Sequence, residues 1–308
     1  MSPLDEALAD YLSIRRAMGY KLERAGKLLA QFVEHLDDAG VVTVTIEHAV
    51  AWAMLPAGGS INWWAHRLSV VRGFATYLST IDPATEVPPA DLLPWRSQRA
   101  TPYLYTDDEI AALLAATEIL STPLRTATYR TLLGLLSVTG LRIGEAIRLD
   151  HGDLDVRRSL LVVRSTKFGK DRQVPLHPTT TAALDGYLQE RDRHAPAADT
   201  AAVFVSIAGT RLRYCNVNWT FLKLVEHAGL MPRSASCRPR IHDLRHSFAV
   251  NTVLDGYRTG LDVQARLPVL STYLGHVHPA NTYWYLSAAP ELLALAGRRL
   301  QDHLEVGR

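Results

Sequence analysis

The sequence predicts a mainly α-helical chain of two domains that carries a small antiparallel β-meander, an α+β arrangement resting on three observations. Apolar residues recur at helical spacing through most of the 308 residues. One stretch, Asp153 to Leu176, changes to alternating or β-branched runs separated by turns. A basic tract with five prolines, Pro83, Pro88, Pro89, Pro94 and Pro102, separates the helices before it from those after it.

In the first domain, expected over 1–82, four helices follow one another. The first runs from Leu4 to Met18 and stops at Gly19; the second spans Leu22 to Leu36; the third is short, Thr45 to Met54. Ser60 caps the fourth, which carries Trp63, Trp64, Leu68, Val71, Phe74 and Leu78 to about Ser79. Arg15, Arg16 and Lys21 near the end of the first helix, with Arg67 and Arg72 on the fourth, are candidate phosphate contacts. Such contacts add salt-dependent affinity without sequence information. The tract 83–104 reads as an extended interdomain linker, and its Arg96 and Arg99 join the candidate phosphate contacts with Lys170 further on.

The second domain, expected over 105–308, opens on Thr106-Asp107-Asp108-Glu109, a capping oxygen followed by acidic residues suited to a helix N-terminus. Helices follow to Thr117 and from Leu124 to Val138, where Thr139-Gly140 stops the chain and Leu141 to Ala146 starts a short helix. Strands at Asp153–Asp155, Leu160–Arg164 and Arg172–Leu176 make the meander. Helices resume at Pro178–Arg191, Tyr214–Ala228, His242–Leu254, Leu267–Leu274 and Ala289–Leu304.

Composition sets the outer limits. A 47% hydrophobic content is ample for packed cores, and a formal charge of +2 leaves a polyanionic partner to be argued from charge distribution. The start Met-Ser-Pro-Leu-Asp-Glu lacks the basic and apolar regions of a secretory signal, and no run reaches the roughly 18 apolar residues of a membrane span. A cytoplasmic protein is expected, with Cys215 and Cys237 as free thiols.

The chemistry-bearing residues cluster in an ordered series. Thr139-Gly140-Leu141-Arg142-Ile143-Gly144-Glu145 is followed by Lys167 in a turn, by His242-Asp243-Leu244-Arg245-His246, by Leu274-Gly275-His276 and by Tyr285. Taken singly, Arg142 beside Glu145 reads as an ion pair and Lys167 as a solvated turn residue. Two arginines able to clamp nonbridging phosphate oxygens, beside a phenol that needs a base or cationic field to react near neutrality, suggest phosphodiester chemistry. In order and spacing these motifs resemble the tyrosine recombinase (phage integrase-like) family, most firmly from Thr106 to Leu304; the N-terminal bundle resembles that family's core-binding domain only in its helical character.

The resemblance implies a site-specific DNA recombinase that acts on duplex recombination sites as a dimer on each site and a tetramer in synapsis. Integration, excision, transposition and resolution of an element are the candidate roles. Tyr285 is the implied nucleophile, forming a 3′-phosphotyrosyl link. Lys167 is the implied general acid, His242 assists proton transfer at the nucleophile, His276 bonds the phosphate, and no metal, ATP or other cofactor takes part. The amphipathic helix Ala289–Leu304 has an apolar stripe to bury, either on its own domain or, as the resemblance implies, on a neighbouring protomer. Beside the compact members of the family the interval from Arg245 to His276 is long, so Asp255 to Pro268 looks like an insertion.

Alternatives stay open at this stage. Tyr283 and Tyr273 compete with Tyr285, and Lys170 with Lys167. His242 and His246 stand four apart on a helix, as zinc ligands do, although Arg245 projects near the same face and would repel a dication. A noncatalytic DNA-binding protein would retain the recombinase scaffold, and a type IB topoisomerase-like relaxing enzyme would share the chemistry but act on one strand at a time.

Overall fold

The computed structural model describes residues 2–95, 100–164, 171–195, 200–276, 282–283 and 297. The chain divides into two compact units, 1–99 and 100–308.

In the first unit, α1 (Pro3–Ala17), α2 (Glu23–Asp38), α3 (Ile46–Met54) and α4 (Ile61–Leu78) form the bundle. Its helix starts are written in the sequence. Ser2 and Asp5 close a capping box on α1, and the hydroxyls of Thr45 and Ser60 accept from backbone amides in the first turns of α3 and α4. Each such cap is worth about 1 kcal/mol. Phe32, Trp52, Leu68, Val71 and Phe74 fill the centre. The proline-rich stretch is held against this bundle up to Pro89. Glu86 bonds Val44 and Ile46 through its backbone and carboxylate, and the Arg72 guanidinium donates to the carbonyls of Pro88 and Pro89, each at 2.7 Å.

The second unit begins with α5 (Asp107–Ala115), capped by the Thr106–Glu109 box, and α6 (Pro123–Thr139), with Thr122 as its cap and Pro123 in its first turn. After α7 (Ile143–Arg148), strands β1 (Leu154–Asp155), β2 (Leu160–Val163) and β3 (Arg172–Pro175) pair antiparallel in the order β1-β2-β3. Leu161 stands opposite Val174 in this register. Leu161, Val163 and Val174 are buried while Leu160 and Val162 are only partly covered, so the alternation puts one face on the core. Then come α8 (Pro178–His194), α9 (Tyr214–His227), α10 (Asp243–Arg258) and α11 (Val263–Leu274). The isolated bridge Asp150–Ala202 ties the α8–α9 connection to the segment after α7, and Val205–Arg211 closes the connection on itself.

Residues 255 to 268 span the end of α10, a turn at Gly260 and the start of α11. Helix α10 runs on to Arg258, and α11 starts at Val263 instead of Leu267 because the Asp262 carboxylate accepts from the amide of Ala265. Pro268 lies inside α11, where the sequence pattern suggests the end of an insertion. Cys215 is exposed, Cys237 is buried, and both are free. No helix of the described residues is long and apolar enough to cross a membrane. The expected helix Ala289–Leu304 lies outside the described residues.

Candidate active site

Two helix ends and two helix starts build the site. Helix α6 ends on Gly140 at φ 60°, in the left-handed region that favours glycine, and its carbonyl accepts from Arg245 Nη1 at 2.7 Å. Helix α11 ends the same way on Gly275 at φ 69°. The carbonyl just before it, that of Leu274, accepts from Arg245 Nη2 at 2.7 Å. Arg245 lies on the first turn of α10 and is 1% exposed, so two helix C-termini supply the oxygens that solvate its buried charge. The same Nη2 contacts His276 Nε2 at 2.9 Å, and His276 Nδ1 contacts Thr282 Oγ1 at 2.8 Å. A guanidinium only donates, so Nε2 accepts and the proton sits on Nδ1, which donates to Thr282.

Arg142 precedes α7. Its Nη1 bonds Glu145 Oε1 at 2.7 Å and its Nη2 reaches the Gly275 carbonyl at 3.3 Å. Its side chain is 34% exposed, against 2% for Glu145. Burial alone would raise the Glu145 carboxyl; hydrogen bonds and charge from Arg172, then from Arg142, outweigh it and hold the group at about 2. Arg142, Arg245 and His276, from three separated segments, therefore meet around the Leu274–His276 turn.

Both site histidines are neutral near pH 7. Burial, followed by the fields of Arg245, Arg142 and Arg172, pushes His276 down to about 3. His242 is pushed down to about 4 by desolvation first, then by His246 and Arg245, although part of its side chain stays open to solvent. The His242 and His246 rings meet edge to face at 5.1 Å. Below them the fully buried Asp243 pairs with Arg240 at 2.9 and 3.0 Å and with His246 Nδ1 at 3.2 Å. Those contacts fix the start of α10, and with it both His242 and Arg245. Among the described residues no three His, Cys, Asp or Glu side chains converge as a metal site would require.

Of the competing tyrosines, Tyr273 stacks on Phe248 with centroids 5.7 Å apart, and burial pushes its phenol up to about 12, which suits packing and not attack. Tyr283 is exposed. Tyr285, Lys167, Lys170, Arg96 and Arg99 lie outside the described residues; in sequence Lys167 and Lys170 fall between the paired strands β2 and β3.

In the first unit, Arg67 does not fit a phosphate contact. It is buried, its guanidinium lies 3.6 Å over the Trp52 ring, and Nη2 donates to the Trp52 carbonyl at 2.8 Å. Arg72 is engaged by the two proline carbonyls, and Arg15 stacks on Tyr20 at 4.0 Å. Arg16 and Lys21 are exposed.

Sequence reasoning missed Arg172. At the start of β3, it gives both Nη atoms to Glu145, at 3.0 and 2.7 Å, and Nε to the Tyr273 carbonyl at 2.9 Å. These partners are 27 and 101 residues away along the chain, beyond any local pattern. Thr282, six residues after His276, was missed because a lone threonine there belongs to none of the motifs that mark the site.

Comparison with known proteins gives concordant results. A model of the phage integrase family matches residues 104–291. The chain is 43% identical over 313 residues to y4rB of Sinorhizobium fredii, described as an integrase/recombinase, with 99% of each covered. It is 32% identical to the tyrosine recombinase XerD of Mycobacterium tuberculosis over 298 residues, 90% of each chain. Among solved structures, the Tn1549 transposon integrase in complex with transposon right end DNA superposes with a TM-score of 0.63 at 17% identity, covering 96% of this chain and 98% of the other.

Proposed function

The chain belongs to the phage integrase family, and from that premise we propose that it is a site-specific DNA recombinase that breaks and rejoins strands through a phosphotyrosine link. The observation that carries the reading is the convergence of Arg142, Arg245 and His276 on one turn, with two guanidiniums beside a neutral imidazole. A phosphodiester resists attack because its oxygens are anionic and its leaving alkoxide is a strong base. Paired guanidiniums offset the first and stabilise charge that grows in the transition state.

In the proposed reaction the Tyr285 phenol oxygen bonds to phosphorus while the bond from phosphorus to the 5′ oxygen breaks. The phenol proton passes toward His242, whose neutral ring has a lone pair to receive it. Lys167 gives a proton to the departing 5′ oxygen. The 3′-phosphotyrosyl link conserves the phosphodiester, so attack by another strand's 5′ hydroxyl reverses the steps with no ATP and no metal. Double-stranded DNA bearing recombination sites is the partner. Exposed Arg16 and Lys21 in the first unit are suited to its phosphates.

Assembly as a dimer on each site and a tetramer in synapsis belongs to the same reading. In support, α6, α10 and α11 leave an apolar cleft of about 510 Å³ lined by Val138, Phe248, Val253, Val263, Leu267 and Leu270. Such a cleft suits an apolar helix of a second copy.

A duplex nicked just beyond the scissile phosphate traps the covalent species. With wild-type protein the adduct accumulates; Tyr285→Phe abolishes it and leaves DNA binding intact. An adduct that persists in Tyr285→Phe removes Tyr285 as the nucleophile, and Arg142→Ala that cleaves at the wild-type rate removes the clamp.

A further inference from the structure

Glu145 accepts from two guanidiniums, yet only one of them faces the site. Arg142 is a third exposed; Arg172 has 12% of its side chain exposed and is bound by Glu145 and the Tyr273 carbonyl. If Arg142 alone faced Glu145, the two would form a neutral pair, and an incoming phosphate would meet a dipole in place of a charge. With Arg172 on the other side of the carboxylate, the three groups carry one net positive charge, and the member open to the site is Arg142. Little water reaches Glu145 or Arg172, so solvent does not screen this arrangement away.

The same side chain ties the parts of the site together. Arg172 starts β3, which follows Lys167 in sequence, and its Nε holds the last turn of α11. Its guanidinium passes so near Gly275 that a Cβ there would lie 2.9 Å from Nη1 and 3.3 Å from Cζ. Glycine at 275 is thus required twice, by its φ and by the passage of Arg172.

We propose that Arg172 is a positioning residue for strand cleavage: it neutralises Glu145 so that Arg142 presents an uncompensated charge to the scissile phosphate. The proposal rests on the recombinase reading, and it makes Arg172 a residue that never touches DNA but decides how strongly Arg142 does. Its distinctive consequence is that the harm in losing Arg172 comes from the carboxylate left behind, so removing that carboxylate must repair it.

The full-length chain is compared with Arg172→Ala and the double variant Arg172→Ala/Glu145→Gln, in which glutamine keeps an acceptor for Arg142 but has no charge. Two readouts are taken: the rate of covalent adduct formation on nicked duplex selected by the wild-type protein from random-sequence DNA, and orthovanadate binding by calorimetry. Arg172→Ala should slow the adduct by roughly 100-fold, the scale of losing one transition-state donor, with DNA affinity nearly unchanged. The double variant should regain about tenfold or more of that loss, and vanadate affinity should follow the same order. A wild-type rate in Arg172→Ala overturns the proposal. So does a double variant no faster than the single one, since that is what a purely structural role for Arg172 produces. If wild-type protein forms no adduct, the recombinase reading fails, and the vanadate series still decides whether Arg172 sets the charge of Arg142. Should Arg172→Ala not melt cooperatively, Arg172→Gln, alone and with Glu145→Gln, takes its place with the same readouts.

Discussion

Replacing Gly140 by alanine tests whether the helix-end turn at 140 is what seats Arg245. Gly140 sits at φ 60°, and a Cβ built there would stand 2.5 Å from Phe248 Cδ1 and 3.1 Å from Leu274 Cδ2. The left-handed backbone costs a residue with a Cβ roughly 1–2 kcal/mol. Crowding against Phe248 and Leu274, both packed in the α10–α11 cluster, adds about 1–3 kcal/mol. Gly140→Ala should therefore lose about 2–5 kcal/mol, which for a unit of this size lowers the melting temperature by about 5–15 °C. Gly134 is the internal control: it lies mid-helix in α6, and a methyl group added there would meet nothing within 4 Å, so Gly134→Ala should hold or gain about 0.4–1 kcal/mol. Calorimetric melting of the two variants beside wild type is the assay. Since the Gly140 carbonyl bonds Arg245 Nη1, the folded fraction of Gly140→Ala should also cleave more slowly. A Gly140→Ala melting point within a degree of wild type, or an equal fall in Gly134→Ala, refutes the reasoning.

Glu145 is held at about 2 instead of 4.5, so it contributes about 3 kcal/mol of stability above pH 4.5 that is lost as pH falls from 4.5 toward 2. Urea unfolding should show the gap between wild type and Glu145→Gln narrowing over that window; a gap constant with pH counts against the ion-pair account. Thr282→Val removes the hydroxyl bonded to His276 Nδ1, and adduct formation should drop about tenfold with Thr282→Ser restoring it, on the scale of a hydrogen bond worth about 1.5 kcal/mol. Equal rates in the valine and serine variants would dismiss the role of Thr282. Arg67→Ala should destabilise the first unit by about 2–4 kcal/mol through the lost carbonyl bond and ring contact, yet leave the salt dependence of DNA binding unaltered. Arg16→Ala should do the reverse, lowering the salt slope by about one. A fall in slope with Arg67→Ala would return that residue to the DNA-binding set.

How far the sequence can be read depends on the range of the interaction being read. The helix starts at Ser2, Ser60, Thr106 and Thr122 are set by oxygens within three residues of the amides they bond, so local pattern carries them. The meander is legible because β-branched alternation and turns repeat at short range. Arg67 is not, because an arginine on an aromatic helix reads the same whether its guanidinium meets solvent or lies over a tryptophan 15 residues earlier in the chain. Pro268 looks like a boundary in the sequence, and the helix nevertheless runs through it, capped upstream by Asp262. The site motifs are legible as a series, but their mutual placement is not. Arg245 is joined to carbonyls 105 and 29 residues away, and Arg172 to Glu145 across 27.

The hydrogen-bond pattern at His276 carries a consequence for how a phosphate would be received. With Arg245 Nη2 donating to Nε2, the face of the ring nearest the guanidinium has no proton to offer an anionic oxygen. For His276 to bond a phosphate through Nε2, the ring must move its proton from Nδ1 to Nε2 or gain a second one. Gaining one is opposed by burial and by Arg245, Arg142 and Arg172, which together hold the ring near 3. A phosphate dianion-like transition state between those arginines offsets their field, so proton uptake becomes easier at the moment negative charge grows. Moving the proton is open as well, because the partner of Nδ1 is a hydroxyl: Thr282 Oγ1 accepts from Nδ1–H in one tautomer and donates to bare Nδ1 in the other by rotating its own proton. A carbonyl at that position would lock the ring in its present tautomer, and a carboxylate would favour the imidazolium in the free protein. A hydroxyl does neither, so in the proposed reaction His276 would be neutral in the free protein and would donate to the phosphate once its proton lay on Nε2.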